Sequence, residues 1–360
     1  MSYIVPIGPY HPALEEPVHA RLYTDGEQIT DAEVFIGYNH RGIEKLAQQK
    51  NFIQTIVLVE RVCGICSHSH ALSYALALEN IAGMNVPKRG QYIRVIMNEL
   101  ERLHSHFLWL GIALHLIGHD SLFMHTWNER EVIMDMLEEI SGNRVNYGMV
   151  TIGGSRRDID DDKRRKILEM LDKVEKSMIR LRDILLSDKT VALRTQGVGV
   201  LTTEDCLRIG AVGPHARASN VAVDVRKDAP YCCYEDFEFD KAVYHSCDVF
   251  SRVVIRVLEN FESIKIIRQA LEMLPTGPIN LGVKIPKIPA GEYMVRHEAP
   301  RGQVTYKVVT DGSEFNKRVS IHVPTFKTAP TIPTMLRGNS VADAGLIVAS
   351  IDPCFSCMDR

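Results

Sequence analysis

The sequence predicts a mainly α (α+β) protein: a central bundle of long helices, with small β elements near the N- and C-terminal parts of the chain. Three observations carry this reading. Apolar residues recur at helical spacing over long stretches, most clearly through Ile93, Met97, Leu100, Leu103, Phe107, Leu110, Leu114 and Ile117. Strand-like patterns are confined to residues 17–37 and to the part beyond Pro275, where Pro and Gly are dense. The chain has 360 residues, 45% apolar and 24% charged, enough for a substantial core.

In chain order, "VHARLY" and "ITDAEVFIG" flank the turn signal "TDGEQ" and predict a hairpin over 17–37. "SHSHALSYALALENIA" predicts a helix over 67–82, closed by Gly83. The stripe above predicts a helix over 89–118, and a further helix is expected over 128–140. "DIDDDKRRKILEMLDKVEKSMIRLRDILLSD" opens on carboxylates, which suit a helix N-terminus, and predicts a helix to about Leu186. Another long helix is expected over 240–274, through Val243, Cys247, Phe250, Val254, Val257, Phe261, Ile264 and Leu271. Beyond Pro275, "EYMVRHEA", "GQVTYKVVTDG" and "RVSIHVPTF" predict strands. Each long helix needs a partner for its apolar stripe, so a bundle is the economical arrangement. The whole of 1–360 reads as one domain, with a β-containing segment at 1–60, the bundle at 61–274, and a β-rich segment with a metal-binding tail at 275–360. There is no internal repeat.

A net charge of −3 gives no reason to expect nucleic acid or an anionic membrane surface. The stretch "FLWLGIALHLIG" is short of the roughly 20 residues that span a bilayer, and it carries His115. "MSYIVPIGPYHP" lacks the basic and apolar regions of a signal peptide. A cytosolic protein, or one docked on the cytosolic side of a membrane through partners, is expected.

Of the eight cysteines, four form two Cys-x-x-Cys pairs, Cys63/Cys66 in "RVCGIC" and Cys354/Cys357 in "DPCFSC". In a reducing compartment such pairs point to metal ligation. Gly64 lets the first turn tighten, and the helix that follows favours thiolate at its N-terminus. Together the pairs make an S4 site. Zinc ribbons bring their pairs together over roughly 15–20 residues. Here the pairs lie at opposite ends of the sequence, so the site belongs in the middle of the fold. Spacing alone leaves structural zinc, a redox metal and an iron–sulfur cluster open. Cys206 and Cys247 read as core residues, and the adjacent Cys232 and Cys233 as incidental.

These pairs and their contexts resemble the catalytic subunit of nickel–iron (NiFe) hydrogenases. "RVCGIC" with "HSHAL" is similar to the family's first signature and "DPCFSCMDR" to its last. The resemblance continues through "GPYHPALEEPVHARL", "NHRGIEK", "ELERLHSHFLWLG", "REVIMDMLEEISGNRVNYGMVTIGG", "EAPRGQ" and "VASIDP". Several of these are shared with the membrane-bound, energy-converting subgroup (Ech-type and CO-induced hydrogenases). They are also shared with the 49-kDa subunit of respiratory complex I, which has the same fold but lacks the paired cysteines. All four cysteines are present, so the hydrogenase reading prevails. Formate-hydrogenlyase members carry a fused N-terminal domain; a sequence that starts directly at the core goes against them.

The resemblance implies a NiFe(CO)(CN)2 centre. Cys63, Cys66, Cys354 and Cys357 would all bind nickel; Cys63 and Cys354 would be terminal, and Cys66 and Cys357 would bridge to iron. H2 would be split heterolytically, a proton leaving through Cys354 to Glu16, with Glu15 as the fallback if the register is off by one. His70 would hydrogen-bond Cys357. Arg301 would stand over the open metal position, Pro300 would shape the same pocket, and Thr325 would donate to the second cyanide. Asp352 would fix Arg301 or its loop. Many hydrogenases hold magnesium with a glutamate matching Glu44 and a histidine where this chain has Arg360. A permanent cation cannot bind Mg²⁺, so magnesium is disfavoured and a Glu44–Arg360 ion pair is expected. Ser105 stands where many members have an aspartate, and His104 and His106 beside it read as core or interface residues. His68 has no counterpart.

This chain has no further cysteine motif, so no Fe–S cluster is expected in it. A hydrogenase small subunit with a 4Fe–4S cluster is implied. Ferredoxin as electron donor or acceptor, further Fe–S subunits and ion-translocating membrane subunits follow from the subgroup. The expected function is reversible reduction of protons to H2, coupled to ion translocation, in a peripheral subunit on the cytoplasmic side of the cell membrane. The competing reading is a complex I 49-kDa-like, non-hydrogenase subunit with a structural zinc S4 site. Family members often lose a C-terminal extension at this point of the last motif, so a buried tail with Arg360 facing Glu44 is expected.

Overall fold

The structure, a computed structural model, describes residues 2–12, 14, 16–284 and 286–360. The fallback residue Glu15 lies outside them. The chain opens with a three-stranded antiparallel sheet, β1 (Ser2–Ile7), β2 (His19–Asp25) and β3 (Gln28–Phe35), in that order. The β2–β3 hairpin turns at Gly26, whose φ of 62° suits a residue without Cβ. Strand β1 was not expected. It carries Pro6, which lacks a ladder donor, and an edge position is where a sheet tolerates that.

Short helices α1 (Ile43–Ala47) and α2 (Phe52–Glu60) lead into α3 (Ser67–Ile81). Asn51 caps α2 by accepting from the Gln54 N–H at 2.9 Å. The long helices are α4 (Lys88–Leu116), α5 (Asp120–Ser141), α6 (Asp161–Ser187) and, after the short helices α7 (Lys189–Thr195), α8 (Thr203–Ile209), α9 (Gly213–Arg217) and α10 (Val225–Asp228), α11 (Val249–Glu272). Asp160 caps α6 by accepting from Lys163 N–H at 2.8 Å. α4 packs against α5 and α11, and α6 packs against both of those, so the predicted bundle is α4–α5–α6–α11. Its apolar interior includes Leu100, Phe107, Ile133, Leu171, Val253 and Ile267. No helix among the described residues is long and apolar enough to cross a membrane.

Three boundaries differ from the sequence reading. α11 begins at Val249, not near 240, because the Asp248 carboxylate accepts the Ser251 N–H at 2.8 Å and fixes the N-terminus there. Val243 and Cys247 are therefore outside it, and Cys247 is half-buried at φ 64° rather than a core residue. α5 begins at Asp120, eight residues before the expected start, directly after the Gly118 turn, where an acidic first-turn residue suits the helix.

The third concerns the C-terminal sheet, β6 (Ala290–Ala299), β7 (Gly302–Asp311) and β8 (Asn316–His322); a two-residue ribbon, β4 (Val150–Thr151) and β5 (Gly154–Ser155), precedes it. β8 stops at His322 because Pro324 opens a short helix, α12 (Pro324–Thr328), so Thr325 and Phe326 are helical. The chain closes through α13 (Ile332–Leu336), α14 (Ala344–Ser350) and α15 (Phe355–Asp359). A second apolar core joins the two three-stranded sheets, α3 and this tail, and the four paired cysteines belong to it.

Candidate metal centre

Two turns present the cysteines. Cys66 is the residue before α3, and Cys354 the residue before α15; the first pair precedes its helix and the second straddles the start of its own, where the backbone dipole favours thiolate. All four are buried. Cys354 Sγ lies 2.9 Å from Cys357 Sγ and 3.5 Å from Cys63 Sγ, and Cys66 Sγ lies 3.6 Å from Cys357 Sγ. The sulfurs of Cys63, Cys66 and Cys357 are all within 4.8 Å of one another. The Cys63 thiol is held well below the usual range, because Cys354, Cys357 and Cys66 face its sulfur as donors. Burial pushes the Cys357 thiol well up. Metal binding at such a cluster would release the protons its thiols hold.

A single side chain ties the two turns together. Arg41 Nη2 donates to Val62 O at 2.8 Å and to Ser356 O at 2.7 Å, and Nη1 donates to Arg61 O at 3.2 Å. The same loop holds the tail: the N–H groups of Gly37 and Asn39 donate to Asp359 Oδ2 at 3.0 and 2.9 Å. Arg360 Nε donates to Glu44 Oε1 at 2.8 Å, and Arg318 pairs with the other oxygen at 2.8 Å. A carboxylate answered by two guanidinium groups has no use for a third cation there.

Glu16 reaches the second turn. Its carboxylate accepts the Ser356 N–H at 2.9 Å and the Ser356 O–H at 3.0 Å, and Oε1 lies 3.9 Å from Cys354 Sγ. On the other side, a small pocket of about 10 Å³, room for about one water, is lined by Cys66, His70, Arg301, Pro324, Thr325 and Cys357 among others. Arg301 sits in the two-residue turn between β6 and β7, which pair up to Ala299 and Gly302. That turn is pressed against Gly213; a Cβ there would lie 2.4 Å from Gly302 Cα, so only glycine allows the approach. Arg301 Nε donates to Asp352 O at 2.9 Å, and Nη2 pairs with Asp352 Oδ1 at 2.8 Å. Its Nη1 is buried and has no partner among the described residues. Asp352 holds this position with φ 55°. Thr325 Oγ1 accepts the Cys354 N–H at 2.9 Å, leaving its own proton free to donate. Pro300 is buried in the Arg301 turn, but Pro324, not Pro300, lines the cavity; the hairpin turn aims Pro300 elsewhere.

His70 lies one turn into α3. Nε2 is 3.4 Å from Cys357 Sγ and Nδ1 is 2.6 Å from the Tyr306 hydroxyl. Burial lowers its pKa to about 4, so the ring is neutral near pH 7. His104, expected to be a core or interface residue, has Nε2 2.9 Å from Ile65 O, inside the first cysteine turn. The Ser105 hydroxyl is buried without a partner among the described residues.

Three residues of the site were not singled out in the sequence: Arg41, Tyr306 and Glu101. Glu101, on α4, accepts the second and third N–H groups of α3, His68 at 2.6 Å and Ser69 at 3.0 Å, and the Ser69 hydroxyl at 2.5 Å. It thereby caps the helix that carries Cys66 and His70, a task that Cys66 itself does not perform. Glu79, Glu99, Asp224, Glu259, Glu298 and Asp352 are buried opposite arginines. Glu101 faces only uncharged donors, and burial pushes its carboxyl up to about 8.

Residues 117–286 and 280–360 match the family described as "Respiratory-chain NADH dehydrogenase, 49 Kd subunit", and residues 41–120 match "Nickel-dependent hydrogenase". The chain is 43% identical to the carbon monoxide-induced hydrogenase of Rhodospirillum rubrum over 100% of its own length and 99% of the relative's. The chain belongs to the family of membrane-bound hydrogenase large subunits and the related complex I subunit. Within that family it is also 40% identical to the membrane-bound hydrogenase subunit alpha of Pyrococcus furiosus, covering 99% of this chain and 87% of the relative. Its fold is similar to a chain in the structure of the membrane-bound sulfane sulfur reductase, an archaeal respiratory membrane complex, with a TM-score of 0.95 and 30% identity over 100% and 98% of the two chains. These hydrogenase and respiratory relatives make the chain a member of an oxidoreductase family, and the Pyrococcus furiosus subunit and the sulfane sulfur reductase among them are membrane-bound.

Proposed function

We propose that this chain is the catalytic subunit of a NiFe hydrogenase that interconverts protons and H2. Electrons would come from or go to ferredoxin through an iron–sulfur small subunit. Membrane subunits of the same complex would move ions and hold this chain on the cytoplasmic face. The observation that carries the proposal is the set of four buried cysteine sulfurs beside a small pocket with two unspent donors.

The residues fit a NiFe(CO)(CN)2 group. Thiolates suit soft metals and can bridge two of them. Arg301 Nη1 and the Thr325 hydroxyl proton are buried donors for small anionic ligands such as cyanide. When bound, such a centre supplies an open metal position at which H2 is cleaved into unlike halves. The chain's own task is then the proton. Cys354 Sγ takes it up, and Glu16 Oε1, 3.9 Å away, receives it. The Ser356 N–H and O–H orient the carboxylate toward that sulfur. Ala299, Val304 and Val323 keep water from the cavity wall.

A second reading rests on the longer of the two family matches, which is to the complex I subunit. In it the sulfurs hold structural zinc and the chain is a non-catalytic scaffold that does not handle H2. Metal analysis of the protein purified with its partners separates the two. About one nickel per chain, with H2 turnover, is the expected result. Zinc without nickel would overturn the proposal.

A further inference from the structure

The sheet and the metal site are joined through one side chain to which nothing in the proposed chemistry assigns a part. Tyr306 stands in the middle of β7, opposite Val295 on β6 and Ile321 on β8, and is fully buried. β7 alternates, with Val304, Tyr306 and Val308 on its buried face. That register aims the phenol at α3, where its oxygen meets His70 Nδ1 at 2.6 Å. The two rings meet edge to face, with centroids 5.8 Å apart and planes at 67°. The opposite corner of the imidazole faces Cys357 Sγ at 3.4 Å.

Donor and acceptor counting orders this chain. A sulfur that ligates a metal is a thiolate and only accepts. His70 Nε2 must therefore carry the hydrogen. In a neutral ring Nδ1 then offers a lone pair, and the group beside it must donate. The Tyr306 hydroxyl is the group beside it. A donor on Nδ1 drains electron density from the ring and makes Nε2–H a stronger donor in turn, and a hydrogen bond fixed to a sheet leaves the ring little room to swing.

We propose that Tyr306 is a positioning residue: it pins the His70 ring to the C-terminal sheet and strengthens the Nε2–H donor on Cys357 Sγ, so tuning the electron density that this sulfur gives its metal. The proposal rests on the Cys357 sulfur being a metal ligand, which holds under both readings above, and not on the identity of the metal.

The experiment uses the full chain loaded with zinc, a diamagnetic stand-in that keeps the sulfurs as thiolates, with ¹⁵N-labelled histidine. The wild type should show His70 protonated on Nε2 with Nδ1 accepting. Tyr306→Phe removes one oxygen. Its Nε2–H proton signal should move upfield, and that proton should exchange with water at least about tenfold faster, the factor that corresponds to one hydrogen bond of about 1.4 kcal/mol. Placing 3-fluorotyrosine at position 306, a better donor of the same shape, should move the signal the other way; this arm decides the matter if Tyr306→Phe does not fold. A merely structural role would lower the melting temperature and leave the Nε2–H signal where it was. An unmoved signal in both variants, or a wild-type ring protonated on Nδ1, would overturn the proposal. In the holoenzyme, Tyr306→Phe should also shift the infrared stretch of iron-bound carbon monoxide to lower frequency. Absence of any such band, with the zinc result intact, would count against the hydrogenase reading and leave the role of Tyr306 standing.

Discussion

Replacing Glu101 by glutamine should flatten the pH dependence of this fold's stability between about pH 4.5 and 8. The carboxyl has an ordinary value of 4.5 and is pushed up to about 8, mainly by burial. Over that window the native state holds a proton that the unfolded chain has released, so stability falls as pH rises. The slope is about 1.4 kcal/mol per pH unit, and the whole window amounts to about 5 kcal/mol as an upper bound. The contribution is fully present below 4.5 and gone above about 8. Glutamine has the shape of the protonated acid and cannot titrate. Its oxygen can keep the His68 N–H, but its amide nitrogen then faces the Ser69 N–H, at a cost of about 1–3 kcal/mol. Urea unfolding of the metal-free chain followed by circular dichroism, at intervals from pH 5 to 8.5, measures the balance. Glu101→Gln should be the less stable protein at pH 5 and should overtake the wild type by about pH 8. His68 and His70, whose values burial lowers to about 3 and about 4, bend both curves alike below pH 6.5 and cancel in the difference. Parallel curves across the window would refute the reasoning, because they would mean that Glu101 is charged throughout.

Three further outcomes are expected. Cys66→Ser puts a hard oxygen where a soft metal wants sulfur, so H2 turnover should vanish; retained activity would show that the four sulfurs do not act as one site. Glu16→Gln should leave metal content unchanged by mass spectrometry while lowering H2 evolution at least about 10²-fold, the usual weight of one proton carrier, and normal evolution would assign the proton to another group. Arg41→Ala removes the three bonds through which this side chain links the two cysteine turns, and metal loss to a chelator should accelerate at least about tenfold. Unchanged chelation kinetics would show that the turns hold their spacing without it.

The bundle was legible because α4 and α6 carry their apolar residues at uninterrupted helical spacing, and the β6–β7 hairpin because Gly302 and strand-forming residues frame it. Short elements were not. α1 and α2 are too brief to establish a period, and the α11 start was misplaced because Val243 and Cys247 fit the stripe by chance while Asp248, the actual cap, looked like any loop carboxylate. In the site, the cysteines were visible as spacing. Glu16, His70, Arg301 and Asp352 were located by resemblance, and the structure brings each within reach of the sulfurs or of one another. Tyr306 was invisible for a physical reason: on a strand it reads as one more inward aromatic, and its partner lies 236 positions away. Glu101 reads as one more charge on a helix until α3 is laid beside it. Arg41 was quoted as part of a motif, but its contacts are backbone carbonyls, which no residue type announces.

The sulfur contacts Cys63–Cys354 and Cys66–Cys357 each join residues 291 positions apart. Bringing such distant segments together costs chain entropy of about 5 kcal/mol beyond a constant, since the penalty grows only with the logarithm of loop length. Folding of the sheets and bundle must meet that cost before a metal can find four ligands. A metal would then meet four ligands that the fold has already gathered. Once in place a metal would act as a cross-link over almost the entire polypeptide, confining the unfolded ensemble as a long-range disulfide would. Stripping the metal should then loosen the two ends of the protein as well as silence its chemistry.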